Sequence, residues 1–144
     1  MFKRILVPTD GSEISQSAVR QAVALAHALG ARVYALSVRD PFPFAAVSEF
    51  QIAAPSEFIE AQERMATTRV QQVAAACAAA GVECETHTVE ASHPWEGIID
   101  SARRHECDLI VMASHGRRGI GALLLGSVTQ KVLTHTLTPV LVVR

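Results

Sequence analysis

Cysteine is scarce in this chain: three residues, Cys77, Cys84 and Cys107, among 144. They form no even framework, and none stands in a C-x-x-C pair. Cys77 falls in the Ala-rich run VAAACAAAG, where a small buried thiol is expected. These features argue against a disulfide-stapled secreted scaffold, and reduced thiols in a cytoplasm are the expectation. An excess of either charge is also missing. Thirteen basic and fourteen acidic side chains leave a formal net charge of −1, against the basic surplus or stripe that marks nucleic-acid binders. No segment approaches the roughly 20 apolar residues of a membrane-spanning helix. The apolar stretch in MFKRILVPTD is too short for a signal peptide. What remains is a globular composition, 49% apolar and 19% charged. It suits one domain over residues 1–144, large enough to bury a core without staples.

Two hydrophobic periods alternate along the chain. Residues 3–8 (KRILVP) form a short apolar run of strand type, closed by the turn residues TDGS. Ile14, Ala18, Ala22, Leu25 and Leu29 then recur at helical spacing over residues 13–29, with Ser12 as N-cap and Gly30 as C-cap. RVYALSV (32–38) reads as a buried strand. A long Pro- and Phe-rich excursion follows it, open to use as a lid or partner surface. A helix is expected over residues 56–80, ending at Gly81. VECETHTV alternates as an antiparallel or edge strand would. Ser92 or His93 can cap the next helix, with Pro94 in its first turn. DLIVMA is the most strand-like run, SVTQKVLTH a short helix and TPVLVVR a last strand. This alternation predicts an α/β fold: a doubly wound sheet of about five parallel strands, with helices on both faces in three layers. In such a sheet, ligands belong at the C-terminal strand ends where the winding reverses.

Two loops fall at C-terminal strand ends: PTDGS after the first strand and SHGRRGIGALLLGS after the fourth. In a flavodoxin-like winding these strands are neighbours or nearly so. Half of the eight glycines, Gly116, Gly119, Gly121 and Gly126, sit in the second loop. Glycine lets backbone N–H groups approach phosphate oxygens, and a helix opening at Gly126–Ser127 favours an anion. Arg117 or Arg118 could add positive charge. The common fingerprints nonetheless fail. Gly121 to Gly126 has Walker A spacing, but Ser127 stands where lysine is required, and Leu124 replaces the third glycine of G-x-G-x-x-G.

ILVPTDGSEIS near the start and MASHGRRGIGALLLGSVTQKVLTHTLTPVLVV near the end resemble the universal stress protein family, over the whole chain. The family's nucleotide-binding branch carries Gly, two residues, Gly, nine residues, then Gly-Ser or Gly-Thr. Gly116 and Gly126–Ser127 fit, with nine residues between them, and Ala113 replaces the first glycine. The resemblance implies an adenine nucleotide alpha hydrolase-like fold binding ATP, with Mg2+ accompanying the phosphates. Asp10 and the backbone of Val38 would then hold adenine, over a floor shaped by Pro8 and Thr9. Met112 and Ala113 would lie beside the adenosine, while Gly116, Gly126, Ser127 and Val128 wrap the phosphates and Arg117 lends charge. The extra methyl of Ala113 costs about 1–3 kcal/mol if the site does not relax.

Simpler structural roles compete at several of these positions. Asp10 also suits a turn before Gly11. Ser114 and His115 are adjacent and lack a G-x-S-x-G elbow, which disfavours a hydrolase triad. His105, Cys107 and Asp108 lie at a helix end with no second ligand pair at metal spacing. Residues 122–125 (ALLL) are expected to anchor their loop to the core. Trp95, Phe42, Phe44 and Phe50 are expected to be core or loop anchors. The last strand, Val140–Val143, is apolar and has no helix after it. At a sheet edge it would invite pairing with its own copy, and the resemblance implies a homodimer through it. The chain is thus expected to be a cytoplasmic, nucleotide-dependent stress-response module, not an enzyme, with no nucleic-acid or membrane partner. The alternatives are a homodimeric interaction protein of the same family that binds no nucleotide, and an ATP-using transferase or slow ATPase.

Overall fold

The computed structural model describes residues 1–44, 55–116 and 124–144. Along them run β1 (Arg4–Pro8), α1 (Glu13–Leu29), β2 (Arg32–Arg39), α2 (Ser56–Ala79), β3 (Cys84–Glu90), α3 (Pro94–Arg104), β4 (Leu109–Ala113), α4 (Ser127–His135) and β5 (Val140–Val143). The five strands form one sheet in the order β3-β2-β1-β4-β5, and every pairing is parallel. β1 therefore lies directly beside β4, where a flavodoxin winding would insert the third strand.

The expected caps set the ends of α1. Ser12 Oγ accepts the Ser15 N–H at 3.2 Å, satisfying one of the helix's orphan donors. Gly30 closes the other end at φ 62°, a left-handed conformation that costs glycine little. Of the expected stripe, Ala18 and Ala22 are buried and Leu25 and Leu29 pack partly against the same layer, so that Ile14 alone departs from it. Ser15, Ala18, Val19, Ala22, Val23 and Ala26 face the sheet, while Ile14 is exposed. Small residues win this face because α1 packs close over β1 and β4. His93 is the N-cap residue of α3 without making a side-chain bond, and Pro94 opens the helix.

The core has two layers because helices cover both faces of the sheet. Ile5, Val7, Val33, Ala35, Leu109 and Val111 pack under α1 and α2. Leu6, Tyr34, Leu36, Ile110 and Met112 pack under α3 and α4. Successive residues of one strand thus enter opposite layers, which is why the central strands read as unbroken apolar runs. Cys77 is wholly buried in the first layer, as expected. β3 is an edge strand, but a parallel one. Both of its faces are only partly covered, and its pairing with β2 is parallel, not antiparallel.

Phe42 meets Phe44 and Phe58 edge-on at 4.7 and 5.2 Å between centroids, tying the chain after β2 to α2. Trp95 packs partly against the second core layer, and Phe50 lies outside the described residues. The expected anchoring by residues 122–125 fails at Leu124, which is 72% exposed. Ala122 and Leu123 lie outside the described residues.

Candidate functional site

The winding reverses at β1. The chain steps outward through β2 to β3 with α1 and α2 on one face, and α3 and α4 then carry it to β4 and β5 on the other. The connections after β1 and β4 leave in opposite directions, and a cleft of about 420 Å³ opens between them. Pro8, Thr9, Asp10, Val38, Met112, Ala113, Gly116, Gly126, Ser127 and Val128 all line it. Of the residues singled out from sequence, Arg117 lies outside the described residues, as does Arg118.

The first wall is a hydrogen-bonded turn. The Thr9 N–H donates to Leu36 O at 2.8 Å, fixing the end of β1 to β2. Thr9 Oγ1 lies 3.1 Å from Ser15 Oγ and accepts the Gly11 N–H at 3.2 Å. Asp10 Oδ1 accepts the Ser12 N–H at 2.9 Å, the side-chain turn its position before Gly11 suggested. That bond orients the carboxylate, and its Oδ2 would lie 2.7 Å from a Cβ placed on Gly116. The first and fourth strand loops therefore touch through Asp10 and Gly116.

The second wall is held from β4. The Ser114 N–H donates to Val143 O at 2.7 Å, and the Gly126 N–H donates to Ser114 O at 2.8 Å. Thr129 Oγ1 donates to Ala113 O at 2.9 Å, pinning the first turn of α4 to the strand. A Cβ on Gly126 would meet Ser114 O at 3.2 Å and His115 Cα at 3.3 Å. Gly126 has φ −63°, so close backbone approach, not a left-handed turn, explains glycine there. No side chain caps α4, and its N-terminal residues form one side of the cleft. Ala113 lines the cleft and is 7% exposed.

Several lining residues were not assigned to a ligand site from sequence, Asp40, Arg69 and His115 among them. His115 is 9% exposed; its Nδ1 lies 3.0 Å from Ser114 Oγ, and its buried Nε2 has no hydrogen-bond partner among the described residues. The neighbours Ser114 and His115 thus do hydrogen-bond. The Ser114 hydroxyl is buried, however, which leaves it poorly placed as a nucleophile. Arg69 of α2 is the lone Lys or Arg among the described lining residues, and its stem passes over Gly11. Nothing in TTRV distinguishes it, because only the fold brings α2 to the cleft. Leu36, Val38, Ile98 and Met112 add an apolar part to the wall. The cleft therefore offers an apolar slot beside a helix N-terminus, a guanidinium, the carboxylates of Asp10 and Asp40 and an imidazole, which suits an apolar ring carrying an anionic group.

The loose metal candidates have other partners. Asp108 accepts the backbone N–H groups of Lys3 and Arg4 at 2.8 and 3.0 Å. His105 stacks on His87 with centroids 4.0 Å apart. Burial, followed by the neighbouring His87, lowers the His105 pKa from its ordinary 6.5. Burial also pushes the Cys107 thiol up to about 12.

The fold and the cleft define a class: a doubly wound, three-layer α/β domain with a ligand-sized opening at its topological switch point. The chain belongs to the universal stress protein family, whose profile matches residues 1–144. A universal stress protein of Thermus aquaticus, encoded in the QAH/OAS sulfhydrylase 3' region, is 36% identical over 144 residues, covering 100% of both chains. UspA from Lactobacillus plantarum superposes with a TM-score of 0.86 at 30% identity, covering 99% of this chain and 98% of its own. A universal stress protein in complex with cAMP gives a TM-score of 0.73 at 25% identity, covering 99% and 97%.

Proposed function

We propose that the cleft binds an adenine nucleotide, ATP with Mg2+ in the first instance, and that the chain is a nucleotide-dependent regulatory module of the stress response. The observation that carries this reading is convergence. Every described residue that the family resemblance assigns to the nucleotide lines the same cleft at the switch point. The cAMP complex of a family member adds support for adenine-nucleotide chemistry in this fold. In this assignment the base enters the slot beside Val38 and Met112, and the Asp10 carboxylate meets the base or ribose. The phosphates lie on the uncapped N-terminus of α4 at Gly126, Ser127 and Val128, by Gly116 and Arg117. Magnesium keeps most of its water and binds through the phosphates.

Native mass spectrometry of freshly purified protein tests the assignment. Retained adenine nucleotide is the expected result. A bare chain that also takes up no added ATP favours the second reading, a family interaction protein without nucleotide, for which Ala113, lining the cleft, is the specific argument.

The proposed assembly is a homodimer through β5, acting in the cytoplasm. β5 is an apolar edge of the sheet, and Leu141 on it and Leu137 just before it are exposed. Among the described residues no helix is long and apolar enough to cross a membrane. Leu141→Glu is expected to give monomers or insoluble protein by light scattering; an unchanged dimer contradicts this assembly.

A further inference from the structure

Cys77 and Cys84 flank the turn between α2 and β3, and the chain doubles back tightly there. The Ala80 and Val82 N–H groups both donate to Cys77 O, at 3.0 and 2.9 Å. Gly81 takes φ 69° to make the reversal. The chain has therefore returned to Cys77 two residues before Cys84, the first residue of β3. Cys84 pairs with Val33 in the sheet and packs against the same core layer that holds Cys77. Both are free thiols in that layer, and the Cys84 thiol also donates to Glu85 O at 3.6 Å. We propose that Cys77 and Cys84 are a redox-active dithiol, which a peroxide closes to an intramolecular disulfide stapling the C-terminal turn of α2 to β3.

The surroundings assign different roles to the two sulfurs. Cys77 is wholly buried, whereas Cys84 is partly exposed because β3 is an edge strand. The neighbouring Cys77 holds the Cys84 thiol below its ordinary value despite burial. The neighbouring Cys84, then burial, raises Cys77. Cys84 is therefore the sulfur that ionises first and meets the oxidant. Its thiolate attacks one peroxide oxygen, the O–O bond breaks, and the departing oxygen takes up a proton, leaving a sulfenic acid. Cys77 then loses its proton and attacks Cys84 Sγ; the S–O bond breaks and water leaves. Two thiols and one peroxide thus become one disulfide, one water and one alcohol, or a second water for hydrogen peroxide. Cys107 lies in the opposite core layer and is buried, which makes it an internal control.

The experiment uses the full chain and needs no nucleotide. Protein is treated with hydrogen peroxide, denatured, alkylated with N-ethylmaleimide, and read by intact mass and peptide mapping. The reduced chain takes up three maleimides, one per cysteine. The oxidised chain is expected to take up one, at Cys107, with a single cross-link joining the Cys77 and Cys84 peptides. It should also melt at a higher temperature until a reductant is added, because the staple restricts the unfolded chain. Cys84→Ser should take up two maleimides with or without peroxide. Three maleimides on the peroxide-treated wild type, or a cross-link engaging Cys107 or a second chain, overturns the proposal. Those wild-type readouts decide the matter whether or not the variant folds.

Discussion

The two ends of the sheet carry hollows of similar size, about 440 Å³ at the N-terminal strand ends and about 420 Å³ at the C-terminal ends. At the N-terminal end the polar groups answer one another. Arg4 pairs with Glu106 at 2.8 Å, and Arg32 pairs with Glu83 and Glu85 at 2.6 and 3.2 Å. Asp108 accepts two backbone N–H groups, and Gly30 closes α1. At the C-terminal end α4 starts without a side-chain cap, His115 Nε2 is buried without a partner among the described residues, and a Cβ on Gly116 or Gly126 would crowd the Asp10 carboxylate or the β4 loop backbone. Volume alone does not separate the two hollows. The uncapped N-terminus of α4 and the close backbone approach at Gly126 do, because an anion can satisfy N–H groups that no side chain caps.

The largest expected effect falls at the C-terminal end. Asp10→Ala should weaken ATP binding about 10- to 100-fold, the loss of one hydrogen bond to a charged group at about 1.5–3 kcal/mol. Calorimetric titration reads it, and an affinity equal to wild type removes Asp10 from the site. Gly126→Val should come next, lowering unfolding free energy by about 1–3 kcal/mol in urea through overpacking against Ser114 O and His115 Cα. Its loss of binding would therefore not isolate a phosphate contact, and an undiminished urea midpoint would show the loop to be looser than described.

A smaller effect probes the N-terminal end through pH. His105 is held below 6.5 by burial and by His87, with Arg104 acting the same way and Glu85 opposing. The unfolded chain therefore binds the proton more readily. Stability from this source is present above pH 6.5 and falls as pH drops through the folded pKa beneath it. Urea midpoints should decline from neutral pH toward acid, and His105→Asn should flatten that decline; an identical slope would rule this origin out. The smallest effect is at Arg32, whose pairs are exposed. Arg32→Ala should leave nucleotide affinity and melting temperature within error. A lost affinity would mean that the two ends are not independent.

Much of this contrast was legible in the chain, because it rests on local chemistry. Ser12 and Gly30 mark the ends of α1, Gly126–Ser127 marks the start of α4, and the unbroken apolar runs mark strands buried on both faces. What escaped depends on contacts distant in sequence. In α1, Ile14 is exposed and Ser15 buried because sheet packing selects the small residues. Periodicity could not show that Leu124 faces solvent. Arg69 and His115 reach the cleft only once α2 and β4 are placed. The glycines illustrate the same limit. Sequence suggested that Gly116 and Gly126 make room for phosphate, whereas the fold gives each a second reason, the Asp10 carboxylate and the β4 loop backbone.

The central claim is that the C-terminal cleft is a nucleotide site and the N-terminal hollow is not. Calorimetric titration of the wild-type chain with ATP and magnesium tests it most directly. Saturable heat that Asp10→Ala diminishes and Arg32→Ala leaves unchanged is the predicted result; no heat at millimolar ATP, from protein shown by mass spectrometry to carry no nucleotide, would contradict it.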